Sequence, residues 1–413
     1  MFLFIFLALF LTSPLSFGDE CFNEDCKGVG TFENSKIGKA LDPDGAGLGK
    51  ALKSKEELDE YFACHISTGL PQSIKREREV HLSEFNSLYK PMIELGAQHF
   101  QMPYALTACV MFRESRFDRN TPPSSKGAKG IAQFTRETYV TLRRDIENVL
   151  EMENGYQEYL KLGYDKMIKY EGNNKYLRCI QYLQGEGILN RQTSAVESKK
   201  SKNNCSEQIT NHARYKPIYD NMTTYLYDVN RFYRNQKSRR LKSIFPNTPL
   251  GHRPKGNDLL PPEKFEDMLK EPAWVVAMNM FYLKQKMINT NAEVDISKFD
   301  PSDDMIGYLA TIGGSYNRGP AELIAAANGD KPSIKKWCQR MASLPETRDY
   351  MLSIRRCMTS NSFDPPAGQA NNPSCQGQMT PSTDDPCVPQ GGNSTPTQSP
   401  FAPKKSLRPR ARQ

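Results

Sequence analysis

The stretch Arg113-Glu-Ser-Arg-Phe-Asp-Arg-Asn-Thr-Pro-Pro-Ser-Ser-Lys-Gly-Ala-Lys-Gly-Ile-Ala-Gln-Phe-Thr-Arg-Glu-Thr138 decides how this chain is read. Before it, Pro103 opens an apolar helical pattern that runs to about Ser115, with Leu106, Val110 and Arg113 on one face. Glu114 therefore falls at the end of a predicted helix. Pro122, Pro123, Ser124, Ser125, Gly127 and Gly130 make the following segment a loop. A helical pattern resumes over 130–142. A carboxylate behind an apolar turn is partly desolvated, which raises its pKa and suits it to donate a proton near neutrality. Small loop residues let a polymer approach backbone amides closely.

Upstream, 83–100 reads as an amphipathic helix through Phe85, Leu88, Met92, Ile93 and Leu95, with Pro91 as an internal kink. Residues 19–80 read as an irregular N-terminal extension with a short helical pattern around 55–64. Downstream, 145–272 is rich in Lys, Arg, Tyr and Asn and has few aliphatic core positions. Residues 271–287 form a clear apolar helix. Residues 304–327 form a helix pair interrupted at Gly313-Gly314 and Gly319-Pro320, and 335–357 are helical with a break at Pro345. After Ser360 the chain turns to Pro, Ser, Thr, Asn, Gly and Gln and ends in a basic run, a composition that does not fold. Few segments alternate with strand period, so the expected core is mainly α.

The first residues read as an export signal. Phe2 to Leu11 is apolar, too short for a membrane span of ~20 residues, and Ser16-Phe17-Gly18 supplies small residues for cleavage. The expectation is a mature start near Asp19 and a periplasmic or secreted protein without stable membrane insertion. Ten cysteines in an exported chain predict disulfides. Cys179–Cys205, Cys338–Cys357 and Cys375–Cys387 are attractive local pairs, although spacing does not determine connectivity. The five histidines are scattered, so no metal site is expected. The net charge of +8 admits an anionic partner without naming one, and nothing in the sequence points to nucleic acid.

Further candidate groups lie far along the chain. Gly313-Gly-Ser-Tyr-Asn-Arg-Gly-Pro320 places Tyr316 and Asn317 between glycines and a proline. Glu346-Thr-Arg-Asp-Tyr350 follows Pro345. Each of these also has a structural reading. Glu114 can be a solvated helix end beside Arg113 and Arg116, the 124–130 loop an ordinary turn, and Gln133 a helix-surface amide. Tyr316 can be a buried joint residue, and 346–350 a capped helix start.

Their order along the chain resembles the soluble lytic transglycosylase family, whose catalytic domain has a lysozyme-like fold of the α+β class. Glu114-Ser115-Arg116-Phe117-Asp118 is similar to the family's first motif. Gly127-Ala-Lys-Gly-Ile-Ala-Gln133 is similar to the second, Ser315-Tyr-Asn-Arg-Gly-Pro320 to the third, and Glu346-Thr-Arg-Asp-Tyr350 to the fourth. The resemblance implies a helical catalytic domain over 81–358 with an insertion at about 145–270, lying between the signal that composition marks over 1–18 and the disordered tail that it marks over 359–413. It implies peptidoglycan glycan strands as substrate and Glu114 as sole acid/base, with no metal or other cofactor. It also implies Ser115, Ser124, Gln133, Tyr316, Asn317, Glu346 and Tyr350 as substrate-side residues, with Ser115 additionally supporting the helix end. The chain departs from the family at Ala132, Thr135 and Arg136, where a methionine contact and a helix proline are missing, and at Ser315. A lysozyme-type hydrolase would need a second carboxylate, for which Asp118, Glu137 and Asp145 are candidates. A non-catalytic peptidoglycan-binding protein is the third possibility.

Overall fold

The computed structural model describes residues 52–67, 72–162, 171–183, 195–235, 256–293, 301–318 and 345–359, together with residues 166, 169 and 254. The expected signal at 1–18 and the tail beyond 359 lie outside the described residues. Helices dominate: α1 (Lys55–Ser67), α2 (Gln72–Glu84), α3 (Lys90–His99), α4 (Tyr104–Ser115), α5 (Arg136–Leu162), α6 (Lys175–Leu183), α7 (Ala195–Asn235), α8 (Pro272–Glu293), α9 (Pro301–Arg318) and α10 (Pro345–Met358). Among the described residues, β structure is limited to two isolated bridges, Leu52–Thr359 and Lys129–Phe134. The fold is mainly α, as the periodicities predict. No described helix is long and apolar enough to cross a membrane.

Helix α4 is the axle. Its sequence is apolar on every side, and Ala105 to Phe112 are all buried. A helix with that pattern must be surrounded, and α1, α3, α8, α9 and α10 pack around it. Burying its large side chains contributes about 1.5–3 kcal/mol each.

The expected single helix over 83–100 is split. Phe85–Tyr89 is a π turn, in which the Lys90 N–H reaches back to the Phe85 carbonyl, and Pro91 sits in the first turn of α3. Proline has no N–H to donate to Ser87, so a wider turn just before it costs less than a broken α-helical bond.

The helical pattern near 55–64 belongs to the core rather than to an irregular extension. Leu58 and Phe62 of α1 are fully buried. Phe62 packs edge-on to Phe85 and Phe117 and tilted against Phe112. Aromatic pairs of this geometry add about 0.5–1.5 kcal/mol beyond their area.

Gly313 and Gly314 do not interrupt their helix, because α9 is continuous across them. A Cβ at Gly313 would meet Ile354 at 3.1 Å, and one at Gly314 would meet Met351 at 2.5 Å. The two glycines therefore let α10 lie close on α9, which offsets their cost of about 1 kcal/mol each in a helix.

The expected insertion at about 145–270, read as poor in core positions, contributes in part to the main core. Helix α5 begins at Arg136 rather than at 130 and runs far past 142, to Leu162. The C-terminal half of α7 buries Ile218, Met222, Tyr225, Leu226 and Val229 in the main core, against α3 and α8. Its N-terminal half joins α6 and the end of α5 around a smaller cluster of Met152, Tyr176, Leu177 and Ile180. The expected Cys179–Cys205 disulfide staples that cluster. The other expected pairing of a described cysteine is wrong: Cys357 bonds Cys109, not Cys338. Helix α10 lies along α4, so the nearest thiol in space is 248 residues away in sequence. Cys64 is also disulfide-bonded. Cys338, Cys375 and Cys387 lie outside the described residues.

Candidate active site

Glu114 occupies the last turn of α4. The helix stops at Arg116, which is left-handed (φ 52) and returns its N–H to the Phe112 carbonyl at 2.8 Å. Phe117 is left-handed too (φ 65). Two successive non-glycine residues in this region cost of order 1–3 kcal/mol each and need support. Ser115 supplies part of it. Its Oγ donates to the Ile131 carbonyl at 2.8 Å and accepts the Phe117 N–H at 3.1 Å. The Phe117 ring, stacked on Phe85 with centroids 3.5 Å apart, supplies the rest.

The loop after this turn is self-bracing. The Ser124 carbonyl accepts the Gly127 N–H at 2.8 Å, and its Oγ accepts the Ala128 N–H at 3.0 Å. Lys129 and Phe134 form a one-rung bridge, with the Lys129 N–H 2.9 Å from the Phe134 carbonyl. Gly130 has φ +76, a conformation that favours glycine, and a Cβ there would push on the end of the Leu269 side chain at 2.8 Å. Gln133 is left-handed (φ 47), and its Nε2 donates to the Gly130 carbonyl at 3.0 Å. Thr135 then caps α5, its Oγ1 accepting the Thr138 N–H at 3.1 Å.

Two distant tyrosines close on this wall. Tyr316 of α9 donates its hydroxyl to the Ala132 carbonyl at 2.5 Å. Its ring packs near Phe134 and Tyr282. Tyr350 of α10 donates to Glu114 Oε1 at 2.7 Å across 236 residues of sequence. The Arg113 guanidinium lies 5.6 Å from the centre of the Tyr350 ring. Tyr316 and Tyr350 are buried, and desolvation holds both phenols well above their ordinary pKa, so they remain hydrogen-bond donors.

The electrostatics of Glu114 follow. Desolvation pushes its carboxyl from the ordinary 4.5 up to about 7, against the opposing pull of the Tyr350 hydrogen bond and the Arg113 charge. Its place at a helix C-terminus, the negative end of the dipole, acts in the same direction as desolvation. A half-buried acid with this pKa is a proton donor at neutrality and a base once it has donated.

The structure thus gathers Glu114, Ser115, Gln133, Tyr316 and Tyr350 about one turn and one loop, and gives most of them a bracing contact. Ser115 is buried with its hydroxyl on the Ile131 carbonyl, so it braces the turn, as its expected support of the helix end requires. Tyr350 is buried and spends its hydroxyl on the acid itself. Tyr316 holds the loop wall through Ala132 and makes no hydrogen bond to Glu114. Ser124 and Gln133 both brace the loop. Asn317 ends α9, partly exposed. The side chain of Glu346 lies outside the described residues.

Sequence reasoning missed two supports, the Cys109–Cys357 bridge and Lys53. The only signal for the first is that a cysteine lies in each of the two helices that carry Glu114 and Tyr350. Nothing flags Lys53. Among the described residues, no group of three or more His, Cys, Asp or Glu is placed to hold a metal ion. Comparison with protein-family models, curated proteins and solved structures finds no match to this chain.

Proposed function

We propose that this chain is an exported peptidoglycan lytic transglycosylase in which Glu114 is the single acid/base. The observation that carries the reading is the junction of Tyr350 with Glu114: a residue of the fourth motif hydrogen-bonds the acid of the first across 236 residues. The raised pKa of that acid supports it further.

The reaction asks little else of the chain. Protonated Glu114 gives its proton to the oxygen between N-acetylmuramic acid and N-acetylglucosamine, and that C–O bond breaks as positive charge builds at the muramoyl C1. The glutamate, now charged and stabilised by the Tyr350 hydroxyl, takes the proton from the muramoyl 6-hydroxyl as its oxygen bonds to C1. The 1,6-anhydro ring closes and the acid is restored. No water and no second carboxylate takes part.

The carboxylates that a hydrolase could use are otherwise engaged or exposed. Asp118 accepts the Asn120 N–H at 2.7 Å and faces His81 at 3.6 Å. Asp145 accepts Gln285 Nε2 at 2.8 Å. Glu137 is exposed on the first turn of α5. The disulfides agree with the periplasmic or secreted location that the expected signal implies.

The test is digestion of purified peptidoglycan with mass spectrometry of the products. Anhydromuropeptides should appear with the native protein and fall at least about a thousandfold in rate with Glu114→Gln. Reducing-end products would replace this reading with a hydrolase. No products from a folded protein would leave a binding role.

A further inference from the structure

Helix α10 carries Tyr350 to Glu114, and something must hold it there. Near its middle, α10 lies on the two glycines of α9. Its far end is fastened differently. Cys357 is bonded to Cys109 of α4, and both are buried. Lys53 reaches the same end: its Nζ donates to the carbonyls of Arg356 at 2.9 Å and Cys357 at 3.2 Å, and to that of Thr359. The Lys53 N–H donates to the Met358 carbonyl at 2.7 Å, beside the Leu52–Thr359 bridge. An ammonium on the last carbonyls of a helix meets the negative end of its dipole.

The register matters. Cys109 lies roughly one turn before Glu114, and Cys357 about two turns after Tyr350. Helices α4 and α10 are therefore joined at two points, the disulfide and the Tyr350–Glu114 hydrogen bond. Two points prevent α10 from rolling on α4, whereas one does not.

We propose that the Cys109–Cys357 disulfide and Lys53 are positioning residues for the acid, holding α10 on α4 so that Tyr350 stays on Glu114 and water stays off that carboxyl. The inference rests on the reading of Glu114 as the acid, although the positioning itself can be measured without substrate. The titratable groups that face Glu114 are Arg113 on its own helix, Tyr350 on α10 and Tyr316 on α9. Desolvation is the largest influence on Glu114, and the Tyr350 hydrogen bond opposes it. Removing that hydrogen bond while keeping the packing must raise the midpoint. Letting α10 lift must lower it, because water removes the larger influence.

The experiment is a titration of Glu114 by carbon NMR in the folded protein, alongside the pH profile of peptidoglycan cleavage. The native midpoint is expected near the value of about 7 set by desolvation. In Cys109→Ala/Cys357→Ala it falls by about one pH unit, which at neutral pH removes about fivefold of the protonated acid, and the profile follows. Lys53→Met moves it the same way by less, and Lys53→Arg restores it. Tyr350→Phe moves it upward, and Cys179→Ala/Cys205→Ala leaves it in place.

A folded Cys109/Cys357 variant with an unmoved midpoint overturns the proposal. If that variant does not fold, Lys53→Met decides in its place, and an unmoved midpoint there is equally fatal. Midpoints that shift as stated in a protein yielding no cleavage products uphold the positioning and sink the functional reading. Cleavage with unmoved midpoints does the reverse.

Discussion

The two disulfides with both partners described sit in regions built on opposite principles. Cys179–Cys205 closes a loop with a separation of 26 residues and staples a small cluster formed by neighbouring stretches of chain. Cys109–Cys357 spans 248 residues and joins the helix bearing Glu114 to the helix bearing Tyr350. The first region stands on local contacts: Asn174 Oδ1 accepts the Tyr176 and Leu177 N–H groups at 3.0 and 3.2 Å, and Asn174 Nδ2 donates to Glu158 at 2.8 Å. The second stands on contacts between residues far apart in sequence, and it carries the strain and the shifted acid. Chemistry that needs a dry carboxyl belongs in the second kind of region, where several helices converge to exclude water.

The largest expected contrast is in stability. In the loop-entropy description, opening Cys109–Cys357 costs about 5.5 kcal/mol and opening Cys179–Cys205 about 3.5. Urea unfolding of the two double cysteine-to-alanine variants checks this. Hydrogen exchange should show the second loss confined to the end of α5, to α6 and to the N-terminal half of α7, and the first spread over the whole core. Equal, global losses would erase the distinction between the regions.

Next comes the acid. Its folded pKa of about 7 lies above the ordinary 4.5, so the native state binds a proton that the unfolded state releases between those values. Stability from this group is therefore fully present below about pH 4.5 and is lost as pH rises through 7, at a cost of about 3 kcal/mol. Glu114→Gln should raise the melting temperature at pH 8 and leave it nearly unchanged at pH 4. A stabilisation that is the same at both pH values would show that Glu114 is not desolvated.

A somewhat smaller effect is expected at the turn. Ser115→Ala removes the donor to Ile131 and the acceptor for Phe117, and should cost about 2 kcal/mol. Cleavage should fall with it, because Arg116 and Phe117 are no longer held left-handed. An Ala variant with native stability and activity would mean that the turn does not need its brace.

The smallest lies in the stapled hairpin. Burial alone would raise the Glu153 carboxyl, but the hydrogen bonds from His212 and Gln157, with the charges of Lys216 and His212, together outweigh it and hold it below its ordinary value. His212→Ala should cost about 1 kcal/mol, seen in exchange near Glu153, with peptidoglycan cleavage unchanged. A loss of cleavage would tie the hairpin to the site.

Much was legible in the sequence wherever a local rule sufficed. The period of 3.6 marked the helices, and the short spacing of Cys179 and Cys205 marked their bond. Tyr316 read either as a buried residue or as a substrate-side one, and it is buried within a continuous α9. Local rules failed where a neighbour in space overruled them. Gly313 and Gly314 read as a break, yet Ile354 and Met351 fill the room they leave. Pro91, by contrast, disturbs its helix as its missing N–H predicts, and the π turn ahead of it takes up the slack.

By itself, then, the sequence determined a mainly helical chain with a carboxylate at a helix end and a glycine loop behind it. The tertiary structure decided that Cys357 seeks Cys109, that Lys53 caps α10, and that Tyr350 reaches Glu114. The reason is physical. Helix periodicity and short-loop closure depend on residues close in the chain. Desolvation, close packing and long-range bonding depend on which surfaces meet, and sequence separation does not encode those distances.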